Sequence, residues 1–185
     1  MRKILLISGK RKCGKDFLSE RLQKRLGDRA LIVRISEPIK TEWARKLELN
    51  LNSLLSDGPY KEQYRRDMIV WSDEVRARDY GYFCRMAMTQ APLDLVDVVI
   101  VSDIRRTNDV RWFRETYGDD VVQTLRLTSL PETRKARGWN FTAGVDDVAS
   151  ECDLDDYQFD CVLPNDAEMS SEQLIEKVLK VFKLS

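Results

Sequence analysis

The residues able to do chemistry begin at position 9. Gly9, four spacer residues, Gly14, Lys15 and Asp16 follow the apolar run "KILLIS" in the stretch "ISGKRKCGKD". This is the spacing of the phosphate loop G-x-x-x-x-G-K-[ST], whose backbone N–H groups cradle a polyphosphate while the lysine reaches its outer phosphates and the last hydroxyl touches Mg²⁺. Asp16 stands where that hydroxyl is expected. A carboxylate is a hard oxygen ligand, and another follows at Asp103, so both are candidates to hold Mg²⁺ directly or through water. Asp16 also reads as a helix-start acid favoured by the helix dipole, and the two readings are compatible. Lys10, Arg11 and Lys12 add three cations within the loop. A tight turn with a solvated basic patch would satisfy the letters alone. An apolar strand before the loop and an amphipathic helix after it argue instead for an anion site at a helix N-terminus.

More cations stand where loops should leave a sheet. "SDIRR" sets Arg105 and Arg106 just after an apolar run, "LRL" holds Arg126, and "RKARGW" holds Arg134, Arg137 and Gly138. A charged residue in an apolar strand needs a partner, and a bound polyphosphate would supply one. Along residues 60–78, at about 100° per residue, Tyr64, Met68, Trp71 and Val75 form an apolar stripe, with Lys61, Arg65 and Arg76 beside it. Glu62 and Asp67 lie off the stripe, and an ordinary solvated face is the alternative reading. Together the cations suit two anionic substrates at once, a nucleotide polyphosphate and a second phosphorylated molecule. A phosphate monoester, with a second pKa of about 6, is mostly dianionic at neutral pH and is itself a nucleophile. No general base is then required, which leaves positioning and charge neutralisation as the work of catalysis.

The chain as a whole does not share this bias. Its 185 residues carry 31 Lys and Arg against 31 Asp and Glu, a net charge of zero, so no global field draws nucleic acid or an acidic membrane. Histidine is absent, which excludes Ser-His-Asp, Cys-His and histidine-metal chemistry. Cys13, Cys84, Cys152 and Cys161 form no C-x-x-C pair, so reduced thiols are expected rather than a zinc site or a disulfide framework. The first apolar run is shorter than a signal peptide's, and no segment reaches transmembrane length. A soluble, intracellular protein is expected.

The elements that must position these groups read from the hydrophobic pattern. Residues 3–8, 30–36, 96–102, 121–127 and 159–164 are short apolar runs that predict buried strands. Between them, 16–26, 38–49, 60–78, 109–117 and 170–182 show helical patterns. Alternating strands and helices, with strands too apolar for a sheet open on one face, predict an α/β fold with a parallel sheet covered on both sides. The length allows one domain over 1–185. Residues 129–157, with Pro131, Gly138, Gly144 and the acidic run "ECDLDD", lack a clear core period, as lids and binding loops do.

These residues, and the blocks "YKEQYRRDMIVW", "GYFCR", "VSDIRR", "WFRETYG" and "RGWNFTAGVDDVASEC", resemble the animal-type phosphomevalonate kinase family of the nucleoside-monophosphate-kinase-like P-loop group. The resemblance runs through nearly the whole chain, and the K-D ending of the loop combined with "RGW" and "GVDD" is far more specific than the loop alone. It implies a three-layer P-loop kinase fold of about five parallel strands, with the phosphate loop at 9–16, an acceptor-binding helical region at about 37–90 and a mobile lid at about 129–150. It implies that ATP and (R)-5-phosphomevalonate give ADP and (R)-5-diphosphomevalonate in the mevalonate route to isoprenoids and sterols, with Mg²⁺ required. A cytosolic monomer with no nucleic-acid or membrane partner is expected.

By position, Lys10, Arg11, Lys12, Cys13, Gly14, Lys15 and Asp16 match the family's ATP loop, Lys15 and Lys12 as electrostatic catalysts. Lys40, Lys61, Arg65, Arg76, Arg105 and Arg106 match the basic residues used for the acceptor and the transferring phosphoryl. Arg126 and Arg137 match nucleotide-side arginines, and Asn165 matches a ligand-contacting asparagine, here assigned to the acceptor. Asp166 and Gln173 are aligned to the nucleotide side, although Asp166 replaces a histidine and a short gap precedes Gln173. A nucleoside-monophosphate kinase is the nearest alternative, since fold, loop and lid would look alike. A GTPase-type switch would need a guanine-reading N-K-x-D, which the chain lacks.

Overall fold

Alternate side chains of a strand face opposite ways, so an unbroken apolar run needs cover on both faces. In a computed structural model, which describes residues 2–56, 58–166 and 169–184, the five runs provide strands β1 (Lys3–Ser8), β2 (Ala30–Val33), β3 (Val98–Ile104), β4 (Val122–Thr128) and β5 (Cys161–Pro164). They form one parallel sheet in the order β2-β3-β1-β4-β5. Central β1 pairs with β3 through Leu5↔Ile100 and with β4 through Ser8↔Arg126. The chain therefore passes from β1 to the edge strand β2, returns to fill the gap with β3, and resumes on the other side of β1 with β4 and β5. Beyond the carboxyl end of β1 lies the switch point at which open α/β sheets bind ligands.

Nine α-helices flank the sheet among the described residues: α1 (Lys15–Leu26), α2 (Ser36–Leu47), α3 (Leu51–Leu55), α4 (Pro59–Arg78), α5 (Tyr82–Thr89), α6 (Thr107–Tyr117), α7 (Pro131–Ala136), α8 (Ala149–Cys152) and α9 (Ser171–Phe182). Leu5 and Ile7 pack with Leu18 and Leu22 of α1 and with Ile175, Val178 and Phe182 of α9. Their neighbours Ile4 and Leu6 point the other way, toward Phe83 of α5 and Val110 and Phe113 of α6. Burying such a side chain contributes about 1.5–3 kcal/mol, so the sheet is held from both faces. A satellite core of Trp43, Ala44, Leu54 and Met68 joins α2, α3 and α4. Trp71 links it to the main core, 5.4 Å from Trp43 and 5.7 Å from Phe83 between ring centroids. The expected apolar stripe of α4 thus faces inward.

Differences from the expected elements have local causes. The run at 30–36 leaves the sheet at Val33, because the Asp103 carboxylate accepts hydrogen bonds from Ile35 N (2.7 Å) and Ser36 N (2.9 Å) and starts α2 there. The run at 159–164 pairs only from Cys161, since the Asp160 carboxylate takes the Thr124 N–H and hydroxyl at 2.7 and 2.8 Å. Helix α3 begins where the Asn50 side chain accepts from Ser53 N at 2.9 Å, and α7 has Pro131 in its first turn. All four cysteines are free. Among the described residues no helix is long and apolar enough to cross a membrane.

Candidate active site

The phosphate loop leaves the end of β1 at the switch point. Gly9 and Gly14 take φ of +155° and +98°, and a Cβ on Gly14 would lie 2.4 Å from Asn165 Nδ2, so the loop can close only with glycine there. Lys12 is held at φ +60°, an uncommon conformation for a side-chain-bearing residue. Its side chain is exposed and makes no hydrogen bond or ion pair among the described residues. Helix α9 closes its N-terminus with a reciprocal Ser170–Gln173 capping box, whereas α1 has no side-chain cap. What sets α1 apart from the other helices without a side-chain cap is its place after the glycine loop at the carboxyl end of β1, where its first N–H groups can meet an anion.

Lys15 lies buried beneath this loop, its Nζ donating to Gly9 O at 2.6 Å and Lys10 O at 3.1 Å. Burial pushes its ammonium down from 10.5 to about 8; Cys13, Asp16 and Asp103 oppose the shift and Arg105 reinforces it. Arg105 is lowered chiefly by burial, with Asp103 opposing and Arg65 adding to the effect. Lys15, Asp16, Asp103 and Arg105 thus share one electrostatic neighbourhood, and Arg65 of α4 reaches it.

The structure gives several of the predicted cations carboxylate partners. Lys10 pairs with Asp155 at 2.6 Å and also donates to Glu151 O at 2.7 Å. Arg11 pairs with Asp146 at 3.0 Å. Strand residue Arg126 divides its guanidinium between Ser8 Oγ (2.9 Å) and Asp155 (2.7 Å). Glu151, which is buried, accepts the Arg11 backbone N–H at 3.0 Å and pairs with Arg105. The segment expected to be a lid is thereby fastened over the loop, with Arg134 Nε donating to Arg11 O at 2.8 Å and Arg137 Nη1 to Cys13 O at 3.1 Å.

Helix α4 and the start of α6 carry the candidates expected to hold the acceptor. Arg76 contacts Asp109 at 3.4 Å and lies over the Phe83 ring at 5.0 Å, and Arg106 pairs with Asp73. Arg65 pairs with Glu62 one turn away, at 2.7 Å from Nε, so Glu62 serves the basic stripe from which it was expected to stand apart. Lys61 lowers the Glu62 carboxyl after the stronger effects of Arg65 and Arg11, which places α4's first turns beside the phosphate loop. Lys40 is half-buried on α2.

The carboxyl-terminal candidates divide. Asn165 Nδ2 donates to Cys13 O at 2.8 Å and Asn165 O accepts from Arg137 at 2.8 Å, so its contacts are with the phosphate loop and Arg137 rather than with the acceptor-side candidates. Asp166 accepts from Leu130 N at 3.0 Å, at the base of the same segment. Gln173 is engaged in the α9 capping box, accepting from Ser170 N at 2.9 Å. Asp73, Asp109, Asp146, Glu151 and Asp155 were not singled out from the sequence. The one available signal was charge: the acidic run after "RGW" complements the basic loop at the other end of the chain. A depression lined by Thr107, Arg114, Asp153, Asp156, Tyr157 and Gln158 holds none of the predicted cations.

As for Mg²⁺, no group of three or more Cys, Asp or Glu gathers into a cage among the described residues. Mg²⁺ usually takes only one or two carboxylates beside phosphate and water. Asp16, exposed in the first turn of α1, and Asp103, which like Asp16 acts on the Lys15 ammonium, fit that requirement as hard oxygen donors. Asp16 is the more available, since both Asp103 oxygens already accept backbone N–H groups.

The same architecture recurs in known proteins. The structure of Mycobacterium tuberculosis APS kinase in complex with AMPPNP and APS matches at a TM-score of 0.55 with 12% identity, over 98% of each chain. TT1252 from Thermus thermophilus matches at 0.53 with 16% identity, over 97% of each chain. At such identities these likenesses show the fold. A phosphomevalonate kinase from Drosophila melanogaster is 70% identical over 177 residues, 94% of this chain and 94% of that protein. Residues 7–119 match the phosphomevalonate kinase family, and with a relative so close over almost its entire length, the chain belongs to that family.

Proposed function

We propose that this chain transfers the γ-phosphoryl of ATP to (R)-5-phosphomevalonate, giving ADP and (R)-5-diphosphomevalonate. The observation that carries this reading is Lys15, buried beneath a helix N-terminus at the sheet's switch point and electrostatically coupled to Arg105, which Arg65 of α4 also reaches. The N–H groups at the start of α1 receive the phosphate chain of ATP, and Lys15 turns from the loop carbonyls to the phosphates being parted. Lys12 adds charge at the loop's rim, Arg126 and Arg137 stand on the nucleotide side, and Lys40, Lys61, Arg65, Arg76 and Arg106 hold the acceptor. Arg105, between the two, stabilises the charge on the phosphoryl in transit. The acceptor's dianionic phosphate attacks without a general base, consistent with a chain that contains no histidine. Rate acceleration then rests on alignment and charge stabilisation in a site shielded from water. Asp16, with Asp103 through water, would hold Mg²⁺, which when bound supplies charge neutralisation between the phosphates.

The segment at about 129–150 acts as a lid, and its Asp146, with Glu151 and Asp155 just beyond it, leaves the basic residues as phosphates replace the carboxylates. A nucleoside-monophosphate kinase would need a base-selecting pocket on the acceptor side, where this chain offers chiefly cations. The four free cysteines support a reducing, cytosolic setting, and the zero net charge supports small-molecule partners, since it offers no global field for nucleic acid or an acidic membrane. A coupled ADP-release assay offering phosphomevalonate beside a panel of nucleoside monophosphates tests the reading. Turnover is expected with phosphomevalonate; turnover of the nucleotides and none of phosphomevalonate would overturn it.

A further inference from the structure

Asp109 occupies an unusual place. It sits in the first turn of α6, where an acid complements the helix dipole, yet it is only 1% exposed. Burial raises its carboxyl, and Arg76, Cys84 and Arg106 act against that rise. One oxygen, Oδ1, receives Arg76 Nε from α4 at 3.4 Å and Cys84 Sγ from α5 at 3.6 Å. The other, Oδ2, is buried without a hydrogen-bond partner among the described residues, and so is Nη1 of Arg106. A carboxylate needed only for packing would not be retained at such a desolvation cost, since apolar residues commonly replace buried ion pairs without loss. Its surroundings suggest another task, because Arg76 and Arg106 are themselves largely buried, at 10% and 9% side-chain exposure.

The two arginines carry two positive charges on one side of the site and have two carboxylates near them. These differ in kind. Asp73, the partner of Arg106, has a side chain 42% exposed on α4, and an arriving anion can displace it into solvent. Asp109 is enclosed by α4, α5 and α6 and has no such freedom. We infer that Asp109 is a positioning residue, the fixed counter-charge that holds the Arg76 guanidinium, and through its proximity Arg106, aimed at the phosphorylated acceptor while Asp73 gives way. The inference rests on the reading of Arg76 as an acceptor-side residue.

The test compares Asp109→Asn, Arg76→Met and the double variant, with KM measured separately for phosphomevalonate and ATP. Asp109→Asn is expected to raise the acceptor KM at least tenfold while the ATP KM stays within twofold. In the Arg76→Met background it is expected to raise the acceptor KM no further, because the group it positions is gone. A merely structural Asp109 would lower the folded fraction and leave both KM values of the surviving enzyme unchanged; that result overturns the inference, as do equal rises in both KM values. Should Asp109→Asn fail to fold, Asp109→Glu, which keeps the charge but displaces it by one methylene, takes its place: a raised acceptor KM with the ATP KM within twofold supports the inference, and wild-type values of both overturn it. If Arg76→Met leaves the acceptor KM unchanged, the acceptor-side reading itself falls. If Arg76→Met raises it and Asp109→Asn does not, only the inference falls.

Discussion

Replacing Lys15 with Met should separate stability from catalysis. Holding the folded ammonium near 8, against 10.5 when free, costs the ligand-free protein about 3 kcal/mol at neutral pH, at 1.36 kcal/mol per pKa unit. Methionine removes that cost, but it strands the Gly9 and Lys10 carbonyls that now accept from Nζ, at about 1–3 kcal/mol. The two effects nearly cancel, and the melting temperature at pH 7 should move by only a few degrees. The sign of the pH dependence is firmer. Below pH 8 the lysine is protonated folded and unfolded, so the cost is present in full. Between about 8 and 10.5 the unfolded chain binds more protons, and raising the pH stabilises the wild type. Measured by denaturant titration, the wild type's stability minus that of Lys15→Met should therefore rise by about 2–3 kcal/mol between pH 7 and 10, with other titrations common to both proteins cancelling. Turnover should fall by about 10²–10³ or more, the scale for losing one preorganised charge-stabilising group. A stability difference flat from pH 7 to 10 would refute the buried cation, and turnover within tenfold of wild type would refute its role.

Glu151→Gln should loosen the ligand-free lid. Losing a charge-assisted hydrogen bond worth about 1.5 kcal/mol speeds exchange about tenfold, so amides across 139–152 should exchange that much faster by mass spectrometry, and unchanged protection would count against the clamp. Gly14→Ala meets both a φ of +98° and the Asn165 amide 2.4 Å from the added carbon. It should cost at least about 1–2 kcal/mol from backbone strain and reduce kcat/KM for ATP by 10-fold or more, checked by thermal melts alongside kinetics; wild-type values in both would show that the loop closes without glycine.

The sheet was legible because its apolar runs fill both faces, and the phosphate loop because its glycines are required by geometry that a motif encodes. Strand ends were less so. The carboxylates of Asp103 and Asp160 redirect backbone N–H groups from distant segments, and no local period reports such a bond. Gln173 carried its own signal, since Ser170 three residues before it spells a capping box. Asp103 drew attention as a metal candidate, but its two helix-starting bonds were invisible before the fold brought β3 against α2. The partners of the cations were hardest to see: Glu151 lies 140 residues from the Arg11 N–H it accepts, and only closure of the sheet brings them together. Charge balance over the whole chain was readable, while its pairing was a property of the fold.

The most direct test follows the phosphoryl itself. With ATP labelled on its γ-phosphate and (R)-5-phosphomevalonate in excess, the label should appear in the terminal phosphate of 5-diphosphomevalonate, in equal amount to the ADP released. Label recovered only as inorganic phosphate, or passed to a nucleoside monophosphate while phosphomevalonate stays unlabelled, would contradict it.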